Sequence, residues 1–197
     1  MTIRPHKLRS GLMPLAVAVC AAAVATCGKT SPADSKEQPP MTITLTSTAF
    51  ADGQPMPADY TADGKNISPP LSWDKLPEGA RQLALIMDDP DSGDDPWVHW
   101  VIYKIPADTK GLEEAVPKTE TLSTPAGALQ GRNSWRSNNI GYRGPSPPSG
   151  VHHYHFKIYA LDARLDLKAG LGKKDLLKAM DGHILATGRL IGTYEKK

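Results

Sequence analysis

Three histidines crowd into four positions, His152, His153 and His155, with Tyr154 among them. A fourth, His99, lies in WVHWVIYKI, and shortly before it come Asp88, Asp89, Asp91, Asp94 and Asp95. Imidazole changes charge near neutral pH, and a tyrosine hydroxyl or a protonated imidazole donates hydrogen bonds to an anion. A carboxylate beside them can fix a histidine tautomer or accept a bond from the ligand itself. His99, His152, Tyr154 and one of the aspartates therefore make a candidate pocket for a small polar group. The plainer readings carry comparable weight. A histidine on an apolar strand face is commonly a core residue with one hydrogen bond, and an Asp- and Pro-rich run is commonly a solvated turn. Other chemistries have less behind them. The aspartates lack EF-hand spacing, and His153 and His155 come without HExxH or paired CxxC, so a zinc site is not favoured. There is no GxSxG elbow, and the glycine-rich GYRGPSPPSG is neither GxxxxGK(S/T) nor GxGxxG.

The elements that must position these residues read as mostly β. Thr42 to Thr46 alternates polar and apolar, Leu83 to Met87 is a short continuous apolar run, and Trp97 to Ile105 is aromatic and β-branched. Val151 to Leu161 is the longest strand candidate, and Ile184 to Tyr194 the last. Alternation along the fourth of these puts His152, Tyr154, Phe156, Ile158 and Ala160 on an apolar face. It leaves His153, His155, Lys157 and Tyr159 on a more solvated one. The same rule groups His99 with Trp97, Val101, Tyr103 and Ile105. One helix is expected from Lys173 to about Asp181, with Leu176, Leu177 and Met180 on one face and Gly182 placed to end it. The sum is a mainly β sandwich or barrel-like domain with long loops and one or two helices in its C-terminal half.

The chain has 197 residues, and the first 26 read as an export signal: Arg4, Lys7 and Arg9, no acid, then the apolar run GLMPLAVAVCAAAVAT. That run is short for a membrane span, which needs about 20 apolar residues. Three of the 23 Lys and Arg belong to these first 26 residues, so the remainder, with 21 acids, is close to neutral. A strongly basic nucleic-acid surface is excluded on that balance. The only cysteines are Cys20 and Cys27. Val24-Ala25-Thr26-Cys27 resembles a bacterial lipobox, with Thr26 a departure from the usual small residue. The expectation is a lipid anchor on Cys27 and a periplasm-facing place on the cell envelope, with Gly28 after the cysteine resembling an outer-membrane address. Ordinary cleavage before Thr26, giving a secreted or soluble periplasmic protein, is the alternative. Residues 27–40, with three prolines and no large apolar side chain, read as a tether. The domain then runs over 41–197.

Longer motifs now come together. Asn66-Ile67-Ser68-Pro69-Pro70-Leu71-Ser72-Trp73, LALIMDDPD from Leu83 to Asp91, WVHWVIYKIP, GYRGPSPPSGVHHYHFKIYALD and ILATGRLIGTY occur in that order along the chain. Together they resemble the phosphatidylethanolamine-binding protein family, and more closely its bacterial Raf-kinase-inhibitor-like branch. The resemblance implies an antiparallel Greek-key fold of two packed sheets, with a small anion-accepting pocket at one end. Asp89 of Asp-Pro-Asp matches the pocket aspartate, His99 the first pocket histidine, and His152 and Tyr154 the second histidine and its tyrosine. Tyr142 and Gly144 fall on the pocket-wall loop, with Pro147 and Pro148 closing it. Ser92-Gly93 replaces the usual Ala-Pro, and Ser146 stands where eukaryotic members place a pocket-lining glycine.

These positions lead to one expected function and two rivals. The first is a non-catalytic envelope protein that binds a phosphate-like anion or phospholipid head group and needs no cofactor or metal. In it His99 and His152, both as imidazolium, hold the anion, Tyr154 donates its hydroxyl, and Asp89 orients one imidazole. The rivals are an inhibitor of a protease or kinase, acting through a protein interface, and a metal-assisted hydrolase using Asp89, Asp91, His99 and His152. The resemblance also implies a homodimer.

Overall fold

The computed structural model describes residue 40, residues 42–137 and residues 139–196. The expected export signal, Cys27 and nearly all of the tether lie outside the described residues. Nine strands and one α-helix make up the described architecture: β1 Thr44–Thr46, β2 Gln54–Pro55, β3 Leu71–Asp74, β4 Gln82–Asp89, β5 Trp97–Pro106, β6 Gly111–Leu112, β7 Leu129–Gln130, β8 Val151–Leu161, α1 Lys173–Met180 and β9 Ile184–Glu195. They form two sheets, one of order β1-β3-β6 and a larger one of order β2-β9-β8-β4-β5-β7. All pairs are antiparallel except β2 with β9, which is parallel. The chain changes sheets at β1–β2, β2–β3, β3–β4, β5–β6 and β6–β7, a routing compatible with Greek-key connections.

All eight residues of β4 are buried, because the larger sheet is covered on both faces. That is why Leu83 to Met87 reads as an unbroken apolar run instead of an alternating one. On one face Leu83, Leu85 and Met87 meet Trp100, Ile102, Phe156 and Ile158, together with Leu45, Leu71 and Trp73 of the smaller sheet. On the other, Ala84 and Ile86 pack with Val101 and Tyr103 under Leu176 and Met180 of α1. Burying such a side chain contributes about 1.5–3 kcal/mol each. Leu176 and Met180 are four residues apart, so one helical stripe supplies both contacts. Gly182 comes just after the helix end with φ +82°, a left-handed conformation that glycine adopts at little cost.

The back of the sheet also holds a charge. Asp88 is fully buried and accepts from Lys157 Nζ at 2.9 and 3.1 Å and from Lys173 Nζ at 2.5 Å. A buried carboxylate requires such partners, and here they tie the first turn of α1 to β4 and β8.

The alternation expected along β8 is observed, with Tyr154, Phe156, Ile158 and Ala160 buried between the sheets. On the other face Tyr159 departs from a solvated reading, since it packs under α1. Along β5 the simple alternation fails. Met87 pairs with Trp100 and Asp88 with Val98, so His99 is an extra residue in the strand. Leu83 pairs with Ile105 and Leu85 with Ile102, a second irregularity at which Lys104 takes φ +55°. Each bulge reverses the facing of the residues beyond it. Trp100 and Ile102 therefore join the inter-sheet core, while Val101 and Tyr103 face the helix, away from the face to which alternation assigns them with His99.

Candidate functional site

β4 ends in Asp89, and Pro90–Ser92 forms a single 3-10 turn immediately after it. Asp89 caps that turn, its Oδ1 accepting from the Asp91 N–H at 2.9 Å. Its Oδ2 lies 2.8 Å from His152 Nδ1. A carboxylate only accepts, so Nδ1 of His152 carries the proton and Nε2 is left for a ligand. Asp91 makes the parallel contact one residue along β8. Its Oδ2 accepts from both the backbone N–H and Nδ1 of His153, each at 2.8 Å. The His153 pairing holds the Asp91 carboxyl below its usual range, outweighing partial burial. Two successive Asp–His pairs thus fasten the Asp-Pro-Asp turn to the start of β8.

The bulge in β5 delivers His99 to the same place. Its side chain is buried at 3 % exposure, with Nδ1 2.7 Å from the Arg143 carbonyl oxygen. That oxygen can only accept, so Nδ1–H donates and Nε2 keeps a lone pair. Burial lowers its pKa to about 4, against the weaker upward pull of the Arg143 carbonyl and the Asp89 carboxylate. His99 is therefore neutral at physiological pH, which corrects the expectation that both pocket histidines are imidazolium. Tyr154 is fully buried between the two histidines, edge-on to His99 at 5.1 Å and stacked on His152 at 6.5 Å. Burial and the nearby Asp89 push its phenol up, so the hydroxyl keeps its proton.

These groups line a cavity of about 420 Å³ with Asp91, Ser92, Trp97, Trp135, Ser146, Pro147 and Pro148. Asp89, His99, Tyr154 and Pro147 are its buried parts, whereas Ser92, Ser146 and Trp97 are exposed and mark the mouth. Tyr142 and Gly144 do not line it. Tyr142 is buried, donates its hydroxyl to the Tyr60 carbonyl at 2.5 Å, and packs edge-on against Trp100. Gly144 donates its N–H to Asn66 Oδ1 at 2.8 Å, and a Cβ there would come within 2.4 Å of the Tyr60 carbonyl oxygen. Both hold the wall from behind. Ser146 does reach the cavity, and its hydroxyl donates to Asp63 at 3.1 Å.

Trp135 is a lining residue that motif and face reasoning does not find. It meets Trp97 edge-on at 5.4 Å and His99 at 5.0 Å, while the Arg143 guanidinium lies 4.8 Å from its ring centroid. The only signal for it in the sequence is a lone aromatic in the polar loop GRNSWRSNN. His155 lies on the back of β8, and His183 pairs with Asp162 at 2.9 Å, away from the cavity. Among the described residues no three His, Cys, Asp or Glu side chains converge closely enough to hold a metal ion. No described helix is long and apolar enough to cross a membrane.

A family model described as phosphatidylethanolamine-binding protein matches residues 46–195. The chain belongs to that family. The UPF0098 protein of Methanothermobacter thermautotrophicus is 53 % identical over 154 residues, covering 78 % of this chain and 99 % of the relative. The crystal structure of a phosphatidylethanolamine-binding protein homologue from Chlamydia trachomatis matches with TM-score 0.70 and 42 % identity, over 79 % of this chain and 99 % of that one. Escherichia coli YbcL, described as a new member of the mammalian family, matches with TM-score 0.71 and 28 % identity over the same shares. The family is one of binding proteins, and the mainly β fold is the one shown by these structural neighbours.

Proposed function

We propose that this protein is a non-catalytic binding protein of the cell envelope whose pocket receives a small phosphoryl-bearing group, such as a phospholipid head group. The observation that carries the reading is the Asp89–His152 pair at 2.8 Å beside a buried tyrosine hydroxyl, in a cavity of head-group size. The Tyr154 hydroxyl keeps its proton at the cavity wall and can donate it to a ligand, and His152 Nε2–H donates when the ring is protonated. A binding role rather than a hydrolytic one is supported by the serines. Ser146 bonds Asp63, and neither Ser92 nor Ser146 bonds His152, so among the described residues no serine is coupled to the oriented imidazole as a nucleophile.

Calorimetric titration with phosphate and phosphoethanolamine tests the site. His152→Ala removes a ligand-facing group and should cost about 1.5–3 kcal/mol of binding, the range for a hydrogen bond to a charged partner. Unchanged affinity in that variant refutes the pocket as drawn. The envelope placement rests on the leader and Cys27. Cys27→Ser should move the protein from the membrane fraction to the soluble periplasm, and unchanged fractionation refutes the anchor.

A further inference from the structure

We infer that the outer side of the cavity wall carries a second binding site, in which Arg143 and Lys118 hold a dianionic oxyanion of the phosphate monoester type. Neither residue lines the cavity, so this site is separate from the head-group reading above. The backbone N–H and carbonyl of Arg143 both bond His99, at 3.0 and 2.7 Å. Its guanidinium lies 4.8 Å from the Trp135 ring centroid. Trp135 lines the cavity and Arg143 does not, so the guanidinium rests on the indole from outside. Arg143 Nε is buried and has no hydrogen-bond partner among the described residues. A buried donor left unpaired is costly, and a bound acceptor would relieve that cost.

A second cation is held alongside. Lys118 packs on Gly141, where a Cβ would come within 3.1 Å of its Cα, and its Nζ donates to the Asn66 carbonyl at 2.8 Å. Asn66 in turn accepts the Gly144 N–H. Lys118 therefore runs beside Arg143, from Gly141 to the Asn66–Gly144 contact. Burial, and then the Arg143 charge, lower its pKa, so two like charges stand together. Among the described residues Lys65, Lys157, Lys173 and Lys174 each donate to an aspartate, whereas Lys118 has only a carbonyl and Arg143 only an indole. An oxyanion between the two would remove their repulsion. It would accept from the remaining N–H groups of Lys118 and from the guanidinium edge, which binds phosphate oxygens in pairs. Two fixed positive charges favour a dianion over a monocarboxylate. Both cationic heads are already anchored, which reduces the ordering cost of binding. Because Nε is sealed, an oxyanion that reaches it must shift the guanidinium on the indole, and Trp135 becomes the reporter.

The test weakens the cavity with His152→Ala and titrates the whole protein with methyl phosphate, a dianion above its second pKa of about 6, and with acetate, at constant ionic strength. The indole N–H resonance of Trp135, assigned by its loss in Trp135→Phe, is followed throughout. Methyl phosphate should move it saturably, and acetate should move it far less at equal concentration. Adding Lys118→Gln, an exposed position, should weaken methyl phosphate about tenfold or more, the factor for one charge-assisted hydrogen bond. Arg143→Lys, which keeps the charge and loses the fork, should weaken it as well. A shift that Lys118→Gln leaves undiminished places the anion elsewhere and overturns the site. So does the absence of any shift, or an acetate response equal to that of methyl phosphate. A resonance that moves in the wild type and not in His152→Ala assigns the anion to the cavity alone, which overturns this site and leaves the head-group reading intact.

Discussion

Acidification should unfold this domain partly through His99, by an amount that can be isolated. The native ring titrates at about 4, chiefly because it is buried. In the unfolded chain it titrates at its ordinary value of about 6.5. Above that value neither state binds the proton and the stability is complete. As pH falls from 6.5 towards 4 the unfolded state takes up a proton that the native state refuses, so stability is lost at up to about 1.4 kcal/mol per pH unit. Over the window this comes to about 3 kcal/mol, and below pH 4, with both states protonated, the loss is constant. His99→Asn provides the control, because a carboxamide N–H can still reach the Arg143 carbonyl and does not titrate. Urea unfolding of both proteins at several pH values between about 7 and 4 gives the two stability curves. The wild-type curve should fall more steeply than that of the variant across the window, with the gap closing by about 3 kcal/mol. Parallel curves would show that the imidazole is not held neutral by burial, and would remove the basis for treating His99 as an acceptor.

Two further expectations concern the wall and the turn. Gly144→Ala should destabilise the domain by about 1–3 kcal/mol, the cost of overpacking, because its Cβ would press on the Tyr60 carbonyl oxygen and the Thr61 backbone. Thermal melting measures it, and an unshifted melting temperature would mean that the loop relaxes freely. His153→Ala removes a half-exposed pair with Asp91, so it should cost about 0–1 kcal/mol in stability and little in phosphate or phosphoethanolamine affinity. A loss of affinity as large as that of His152→Ala would place the Asp91 turn at the centre of binding.

How much of the molecule is legible in its sequence depends on how local each signal is. β8 is readable to the residue, since its apolar face alternates without interruption from Tyr154 to Ala160. α1 is readable for the same reason, with Leu176 and Met180 on one stripe and Gly182 past its end. The outlying strands β2, β6 and β7 have two residues each, too few to show a period, and exist because a neighbouring strand supplies their hydrogen bonds. The bulge that turns Trp100 into the core and brings His99 to the pocket leaves no periodic trace, because it is a property of the β4–β5 pairing. The Asp89–His152 contact is foreseeable as a carboxylate fixing a tautomer. The neutrality of His99 is not, since it depends on enclosure by Trp135 and Tyr154 from two other segments of the chain. Tyr142 and Gly144 stand at the wall by position, but their atoms serve Tyr60 and Asn66 rather than the cavity.

The consecutive carboxylates at the end of β4 act as a register lock. Asp88 faces the helix side, where two lysines meet it, and Asp89 faces the pocket, where His152 and the Asp91 N–H meet it. Neighbouring strand residues point to opposite faces, so a slip of one position would exchange the two environments. Each carboxylate would then leave its own donors, and the lysines and the His152 N–H would lose theirs. An apolar strand buried on both faces has little in its side chains to distinguish one register from the next, since either face accepts Leu, Ile or Met. The Asp88-Asp89 step supplies that distinction at the strand's last two residues. A one-residue insertion within β4 should therefore be far more damaging than an apolar exchange such as Ile86→Leu, although both leave the strand equally hydrophobic.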